Sequence, residues 1–135
     1  MAEYYYNEDE TSVAVLVSCG FGSGWSTWND SELAYDKRIV EFWLAHKGDR
    51  QFMDGIYSIH GHDEDEWSLS AKETVKFFNS LGYENLYFEG FADLALVWIP
   101  VGCRWRINEY DGSEDLEVLD MDDYNYVPAK GENNG

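Results

Sequence analysis

Positive charge is scarce in this sequence. Nine Lys and Arg residues stand against 27 Asp and Glu residues in a chain of 135, and the formal net charge is −18 at pH 7. A well-behaved small domain carries a net charge of magnitude roughly 2–8. A surface this acidic repels nucleic acid and anionic membranes and attracts basic protein surfaces. The composition therefore argues against direct nucleic-acid or membrane binding. It leaves two explanations open: docking on a basic protein, or a charge that serves only solubility or adaptation to high salt.

Cysteines and long apolar runs are also scarce. The two cysteines, Cys19 and Cys103, lie far apart and do not form a disulfide framework. The first residues lack the basic and then apolar stretches of a signal peptide. No apolar run approaches the roughly 18 residues of a transmembrane helix. We therefore expect a cytoplasmic chain with free thiols.

No group of residues is specific to a catalytic or metal site. The segment from His60 to Glu66 has two histidines and four carboxylates, and it superficially resembles the metal-binding run of metallo-hydrolases of the β-lactamase type. Glu64 and Asp65 stand where that run has Asp and His, so the sequence favours a solvated acidic loop. Hard-cation binding by its oxygens stays open. We expect no enzyme, no catalytic residues, no cofactor and no dedicated metal site.

Strand signals concentrate between Leu86 and Leu119, where four extended segments follow one another. From Cys103 to Asn108, apolar and polar residues alternate as in a half-buried strand. The loop Asp111-Gly112-Ser113 and the alternation that resumes after it are typical of a hairpin. The apolar run from Ser12 to Ser18 predicts a buried central strand.

Helix signals occur twice. The first predicted helix opens at Asn29-Asp30-Ser31-Glu32 and runs to Lys47, and the second opens at the capping box Ser70-Ala71-Lys72-Glu73 and ends at Gly82. Residues 50–60 are ambiguous, and residues 56–59 allow a further short strand. These signals predict one α+β domain over residues 1–128, with a mainly antiparallel sheet of about five strands and two α-helices packed on one face. Residues 129–135 are predicted to be a disordered polar tail.

A glycine-rich loop follows the first predicted strand. Gly20, Gly22 and Gly24 alternate with other residues, Trp25 and Trp28 follow, and no charged residue lies between Glu10 and Asp30. The spacing fits neither a dinucleotide fingerprint nor a phosphate loop, so a flexible turn is the simpler interpretation. The alternative is a ligand site in which the tryptophans stack on a base and the glycine amides meet phosphate. That site would sequester a nucleotide or a cyclic-nucleotide signal.

Three stretches together resemble a group of small acidic proteins encoded by bacteriophages: Gly20–Asp30, Ala34–Trp43 and Ile99–Leu119. The resemblance covers most of the chain. It implies a phage or mobile-element origin, and action in the cytoplasm of the host cell. Small acidic phage proteins are often inhibitors of host machinery, including nucleic-acid mimics that block restriction or CRISPR effectors. The resemblance implies no catalytic residues for this chain.

Charge and resemblance together favour one functional hypothesis. The chain is expected to be a counter-defence inhibitor, of the anti-CRISPR or anti-restriction kind, that binds a basic nucleic-acid-handling host protein by presenting a DNA-like row of carboxylates. A homodimer is left open. The predicted partner-binding residues form two acidic patches: Asp63, Glu64, Asp65 and Glu66 in the first, and Asp111, Glu114, Asp115, Asp120, Asp122 and Asp123 in the second.

Overall fold

The chain has an α+β fold, as predicted. A computed structural model describes residues 2–132, with three α-helices and five β-strands in two antiparallel sheets. In chain order the elements are β1 (Ser12–Ser18), α1 (Lys37–His46), α2 (Arg50–Ile56), α3 (Leu69–Ser80), β2 (Leu94–Pro100), β3 (Arg104–Tyr110), β4 (Ser113–Val118) and β5 (Asn125–Tyr126).

The five strands divide between two sheets. The first sheet pairs β1 with β2, with Val15 opposite Val97, and the second has the order β4-β3-β5. After Pro100 the chain turns at Gly102, whose φ of +88° suits glycine. The Gly102 N–H donates to the carbonyl of Val127 at 2.8 Å, beside β5. The turn therefore directs β3 away from β2 and into the second sheet.

Strand β1 is buried on both faces, as its apolar run predicted, but it is not a central strand, because its sheet has only two strands among residues 2–132. Val13, Val15 and Val17 point toward a cluster that includes Trp105 of the second sheet. Ala14 and Leu16 point toward a second cluster. That cluster also contains most of the buried apolar residues of the helices: Ile39, Val40 and Trp43 of α1, Met53 and Ile56 of α2, and Phe78 of α3.

The first predicted helix is interrupted. Ser31–Ala34 is a short 3₁₀ turn, and α1 begins only at Lys37. Asp30 accepts a hydrogen bond from the Glu32 N–H, and Asp36 accepts one from the Arg38 N–H, so each carboxylate caps its own element. The prediction of one continuous helix was wrong because Asp36 is an N-cap residue and not part of a helical face.

One ambiguous segment is resolved by the structure, and two other local predictions were wrong. Residues 50–56 form α2, because Asp49 caps the Phe52 N–H at 3.1 Å, and no strand forms at 56–59. Helix α3 is capped by Ser68 and not by Ser70. Residues 86–90 form no strand, because the backbone N–H groups of Tyr87 and Phe88 donate to the side chains of Asn29 and His60.

The described part of the predicted tail contacts the N-terminal segment. The Tyr6 hydroxyl donates to the Pro128 carbonyl at 2.7 Å, and the Lys130 ammonium lies 3.2 Å from a carboxylate oxygen of Glu10. Residues 133–135 lie outside the described part of the chain. These two contacts place residues 128–132 against the N-terminal segment of the domain.

Asp36 gives the fold a pH-sensitive contact. Its carboxylate is 1% exposed and accepts hydrogen bonds from Arg38 Nη2 at 2.7 Å and from the Tyr83 hydroxyl at 2.9 Å. Burial alone raises the pKa of Asp36, but the hydrogen bonds from Arg38 and Tyr83 outweigh it and hold the pKa below its usual value. A lowered pKa in the folded state means that the contact stabilises the fold above the ordinary Asp value and is lost as the pH falls through the folded-state pKa.

We expect Asp36→Asn to lower the free energy of unfolding at neutral pH by about 2 kcal/mol, because charge-assisted hydrogen bonds are lost. The difference from the parent chain should begin to shrink as the pH falls below about 4, the ordinary Asp value at which the unfolded chain takes up a proton, and should vanish once the folded-state carboxylate is protonated at a lower pH. Urea unfolding at a series of pH values measures this. Asp49→Asn is the control, since Asp49 caps α2 from an exposed position and Asn caps equally well. A constant difference across pH for Asp36→Asn would contradict the ionic role.

Candidate binding surface

Glu114 ties the glycine-rich loop to the second sheet. Its side chain is 3% exposed, and its two carboxylate oxygens accept four hydrogen bonds. The donors are the Ser18 N–H at 2.9 Å, the Trp25 N–H at 3.0 Å, the Thr27 N–H at 3.1 Å and the Thr27 hydroxyl at 2.6 Å. The sequence predicted Glu114 as an exposed partner-binding residue. The structure corrects this: Glu114 is an internal anchor, because the loop presents donors to it.

A second carboxylate completes the anchor. Glu109 lies directly opposite Glu114 in the register of β3 and β4. It accepts hydrogen bonds from the Gly112 N–H at 2.7 Å and from Trp28 Nε1 at 3.1 Å. These two donors, Gly112 first, lower the pKa of Glu109. The paired carboxylates therefore hold both ends of the loop against the hairpin.

The β3–β4 hairpin forms as predicted, and its turn packs against the glycines. Asp111 and Gly112 both have positive φ, at 49° and 87°, as a two-residue type I′ turn requires. A Cβ atom on Gly112 would lie 2.5 Å from the amide nitrogen of Ser23, 2.8 Å from that of Gly22 and 2.9 Å from that of Gly24. The three successive amide nitrogens therefore lie against the hairpin turn, and a side chain at Gly112 would clash with them.

Trp25 belongs to the hydrophobic core. Its ring is 0% exposed and contacts Phe78, Phe88 and Phe91 at centroid distances of 5.9, 5.9 and 5.2 Å. Its Nε1 donates to the carbonyl of Leu33 at 3.2 Å. Trp25 thus cannot stack on a nucleotide without leaving the core. Of the alternative ligand site, only Trp28, which is 38% exposed, presents a ring to solvent.

Exposed aromatic rings gather at the tip of the hairpin. Phe21 and Tyr110 are 71% and 77% exposed and meet edge to face at 6.5 Å. Trp28 contacts Tyr87 at 5.1 Å, and the Tyr87 hydroxyl, which donates to the Glu89 carboxylate, lies 3.3 Å from the carbonyl oxygen of Gly22, the residue next to Phe21 in the chain. We call this region the hairpin-tip surface: Phe21, Trp28, Tyr87, Glu109, Tyr110 and Asp111. Sequence reasoning named Trp28 as a candidate and missed Phe21, Tyr87 and Tyr110, although the sequence Glu109-Tyr110-Asp111 at a predicted turn was a usable signal.

The first acidic patch is exposed as predicted. All four residues from Asp63 to Glu66 are solvent-accessible, and single carboxylate oxygens of Asp63, Asp65 and Glu66 lie within 4.8 Å of one another. His62 Nδ1 lies 3.9 Å from a Glu66 oxygen. Exposed acidic groups are common without a bound ion, and these four residues form a region of negative charge.

The second acidic patch is divided by the fold. Glu114 is buried, and Asp120 lies 3.8 Å from the guanidinium of Arg104. The neighbouring Arg106 pairs with Glu117 at 3.5 Å. Four members of the patch remain exposed with no ion pair found within residues 2–132: Asp111, Asp115, Asp122 and Asp123.

Comparison with family models, curated proteins and solved structures finds no match to this chain. The resemblance to acidic phage proteins therefore stays a prediction from the sequence. Cys19 and Cys103 are free thiols, and Cys19 is exposed. Within residues 2–132 no helix is both long enough and apolar enough to cross a membrane.

Proposed function

We propose that this chain is an inhibitor-type binding protein that docks on the basic, nucleic-acid-binding surface of a partner protein, with the hairpin-tip surface as its anchor. One observation carries the proposal. Phe21 and Tyr110 are exposed and in mutual contact, and the loop that holds Phe21 is locked by the buried Glu114. Aromatic side chains held rigidly at a surface are typical of the residues that dominate binding energy in protein interfaces.

The charge around these rings defines the partner. Glu109 and Asp111 flank the aromatic pair, and Asp115 is exposed further along β4. An arginine side chain satisfies both features, because its guanidinium stacks on aromatic rings and pairs with carboxylates. Proteins that bind nucleic acid present such arginines to phosphates. A partner of this class is therefore complementary to the hairpin tip in both charge and chemistry.

The net charge of −18 acts over a longer range. It steers a basic partner toward the chain and raises the association rate, and salt weakens this attraction. Inhibition of a restriction or CRISPR effector in the host cytoplasm fits this mode of binding, since such a partner keeps a basic groove for DNA. The resemblance to acidic phage proteins supports the same class of target.

The proposal predicts that this chain and DNA compete for the same surface of the partner protein. We expect the immobilised chain to retain a basic protein from a bacterial lysate and to release it when short duplex DNA is added. Phe21→Ala combined with Tyr110→Ala should weaken the complex at least tenfold, since each ring is placed as an interface anchor. Leu69→Ala is the control, because Leu69 is 85% exposed but lies at the start of α3. Titration calorimetry with the purified partner gives the affinities.

Replacement of the acids by amides separates the two patches. Changing Asp63, Glu64, Asp65 and Glu66 tests the first patch, and changing Asp111, Asp115, Asp122 and Asp123 tests the exposed part of the second. Either set should slow association more than it alters folding, because exposed charges contribute little to stability. Stopped-flow association at two salt concentrations measures the effect. If neither DNA, nor salt, nor either set of changes altered the binding of the partner, the proposal would be contradicted. The acidic charge would then serve only solubility.

A further inference from the structure

Strand β2 leaves one edge of the first sheet open. Strand β1 occupies one side of β2, and within residues 2–132 no strand pairs with the other side. Among the described residues, no backbone hydrogen bond joins residues 94–99 to a segment other than β1. The opposite edge of the sheet is covered, since the Ala14 N–H donates to the Tyr5 carbonyl at 3.0 Å and Tyr6 bridges Val13. The backbone donors and acceptors on the outer side of β2 are thus free to pair.

This edge lacks most of the usual protection against pairing. Exposed edges normally carry charged side chains, prolines or bulges. The stretch from Leu94 to Gly102 has no charged residue, its proline lies at the end of the strand, and Trp98 is 46% exposed. In a chain with 27% charged residues, an uncharged apolar edge is an exception.

We propose that β2 pairs antiparallel with β2 of a second copy of this chain, across a twofold axis at Val97. Two chains of charge −18 repel each other over most of their surfaces, so they associate only where charge is absent. The uncharged edge meets that condition, and a twofold pairing of one strand with itself makes the interface self-complementary.

The register follows from the twofold axis. Val97 faces Val97 of the other copy, and Leu96 faces Trp98. Asp93, the first charged residue before the strand, then lies opposite Val101. Asp93 is also balanced within its own chain, since Arg50 Nη1 lies 3.6 Å from its carboxylate. This register places no acidic residue opposite another, and it joins the two first sheets into one continuous sheet.

Salt provides the first test. Screening removes repulsion between like-charged copies, so sedimentation equilibrium should show self-association that strengthens as NaCl is raised. Trp98→Glu should weaken it about tenfold or more, because two carboxylates enter the shared edge. Leu69→Glu adds the same charge to an exposed apolar position elsewhere and should leave it unchanged. Circular dichroism verifies that both variants fold.

A crosslink tests the register independently of the charge change. Antiparallel partners have Cα atoms about 4.5–5.5 Å apart, within the range that a disulfide spans. With Cys19→Ser and Cys103→Ser as background, Val97→Cys should form an intermolecular disulfide under oxidised glutathione, and Leu69→Cys should not. A chain that stays monomeric at high salt, a dimer indifferent to Trp98→Glu, or equal crosslinking at both positions would each overturn the pairing. None of these outcomes would contradict the proposed function, because binding of the partner is measured separately. The partner complex should weaken as salt is raised, whereas self-association should strengthen.

Discussion

Glu114→Gln is expected to lower the free energy of unfolding by about 3 kcal/mol, which corresponds to a fall in melting temperature of about 10 °C. The carboxylate accepts from four donors, and no amide can replace it there, because one of its oxygens becomes an NH₂ group that faces N–H donors. A buried donor that loses its acceptor costs more than the average hydrogen bond contributes. Small domains have total free energies of unfolding of roughly 5–15 kcal/mol. Replacement of one carboxylate oxygen of Glu114 is therefore expected to remove a large part of the total stability.

Thermal unfolding monitored by circular dichroism measures the effect. Asp115→Asn is the matched control, since it removes the next acidic residue along β4 from an exposed position and should change the stability by less than about 0.5 kcal/mol. Glu114→Gln should also weaken any complex made through Phe21, because the loop that carries the ring loses its anchor. Equal stabilities for Glu114→Gln and Asp115→Asn would contradict the conclusion that Glu114 anchors the loop.

Trp25→Ala is expected to cost about 4 kcal/mol, whereas Trp28→Ala should cost about 1 kcal/mol. The first change opens a cavity among three aromatic rings and leaves the carbonyl of Leu33 without its Nε1 donor. The second removes a half-exposed ring that makes one hydrogen bond, to Glu109, and one ring contact, to Tyr87. The two tryptophans lie only three residues apart in the sequence. The difference between their two losses of stability therefore reports the effect of burial.

Urea unfolding of both variants gives the two free energies. Tryptophan fluorescence with added nucleotides and cyclic nucleotides tests the ligand alternative on the same samples, and we expect no change in emission. A saturable change that Trp25→Ala removes, in a variant as stable as the parent chain, would restore the glycine-rich loop as a ligand site.

Local patterns in the sequence determined several elements of this protein. The run of β-branched residues from Ser12 to Ser18 predicted a strand buried on both faces. Asp-Gly between alternating segments predicted the hairpin, because only residues that tolerate positive φ close a type I′ turn. The α+β class followed from the same signals. Each of these depends on residues that are close in sequence, where side-chain period and backbone preference suffice.

Helix boundaries were determined less well. Asp30 and Asp36 are both N-cap residues, and of the two candidates Ser68 and Ser70 only Ser68 caps α3; the sequence does not rank such neighbours. The choice depends on distant partners. Tyr83 holds the carboxylate of Asp36, and the Ser58 hydroxyl accepts from the Ser68 N–H at 2.9 Å.

Tertiary structure alone decided which charged and aromatic residues are available for binding. Glu114 is one of many acids in the sequence, and it is buried only because β4 lies beside the glycine-rich loop. Trp25 enters the core while Phe21, four residues earlier, stays in solvent. Composition determined the net negative charge of the chain. The positions of the anchors depend on contacts between segments far apart in the chain, and local propensity carries no information about those contacts.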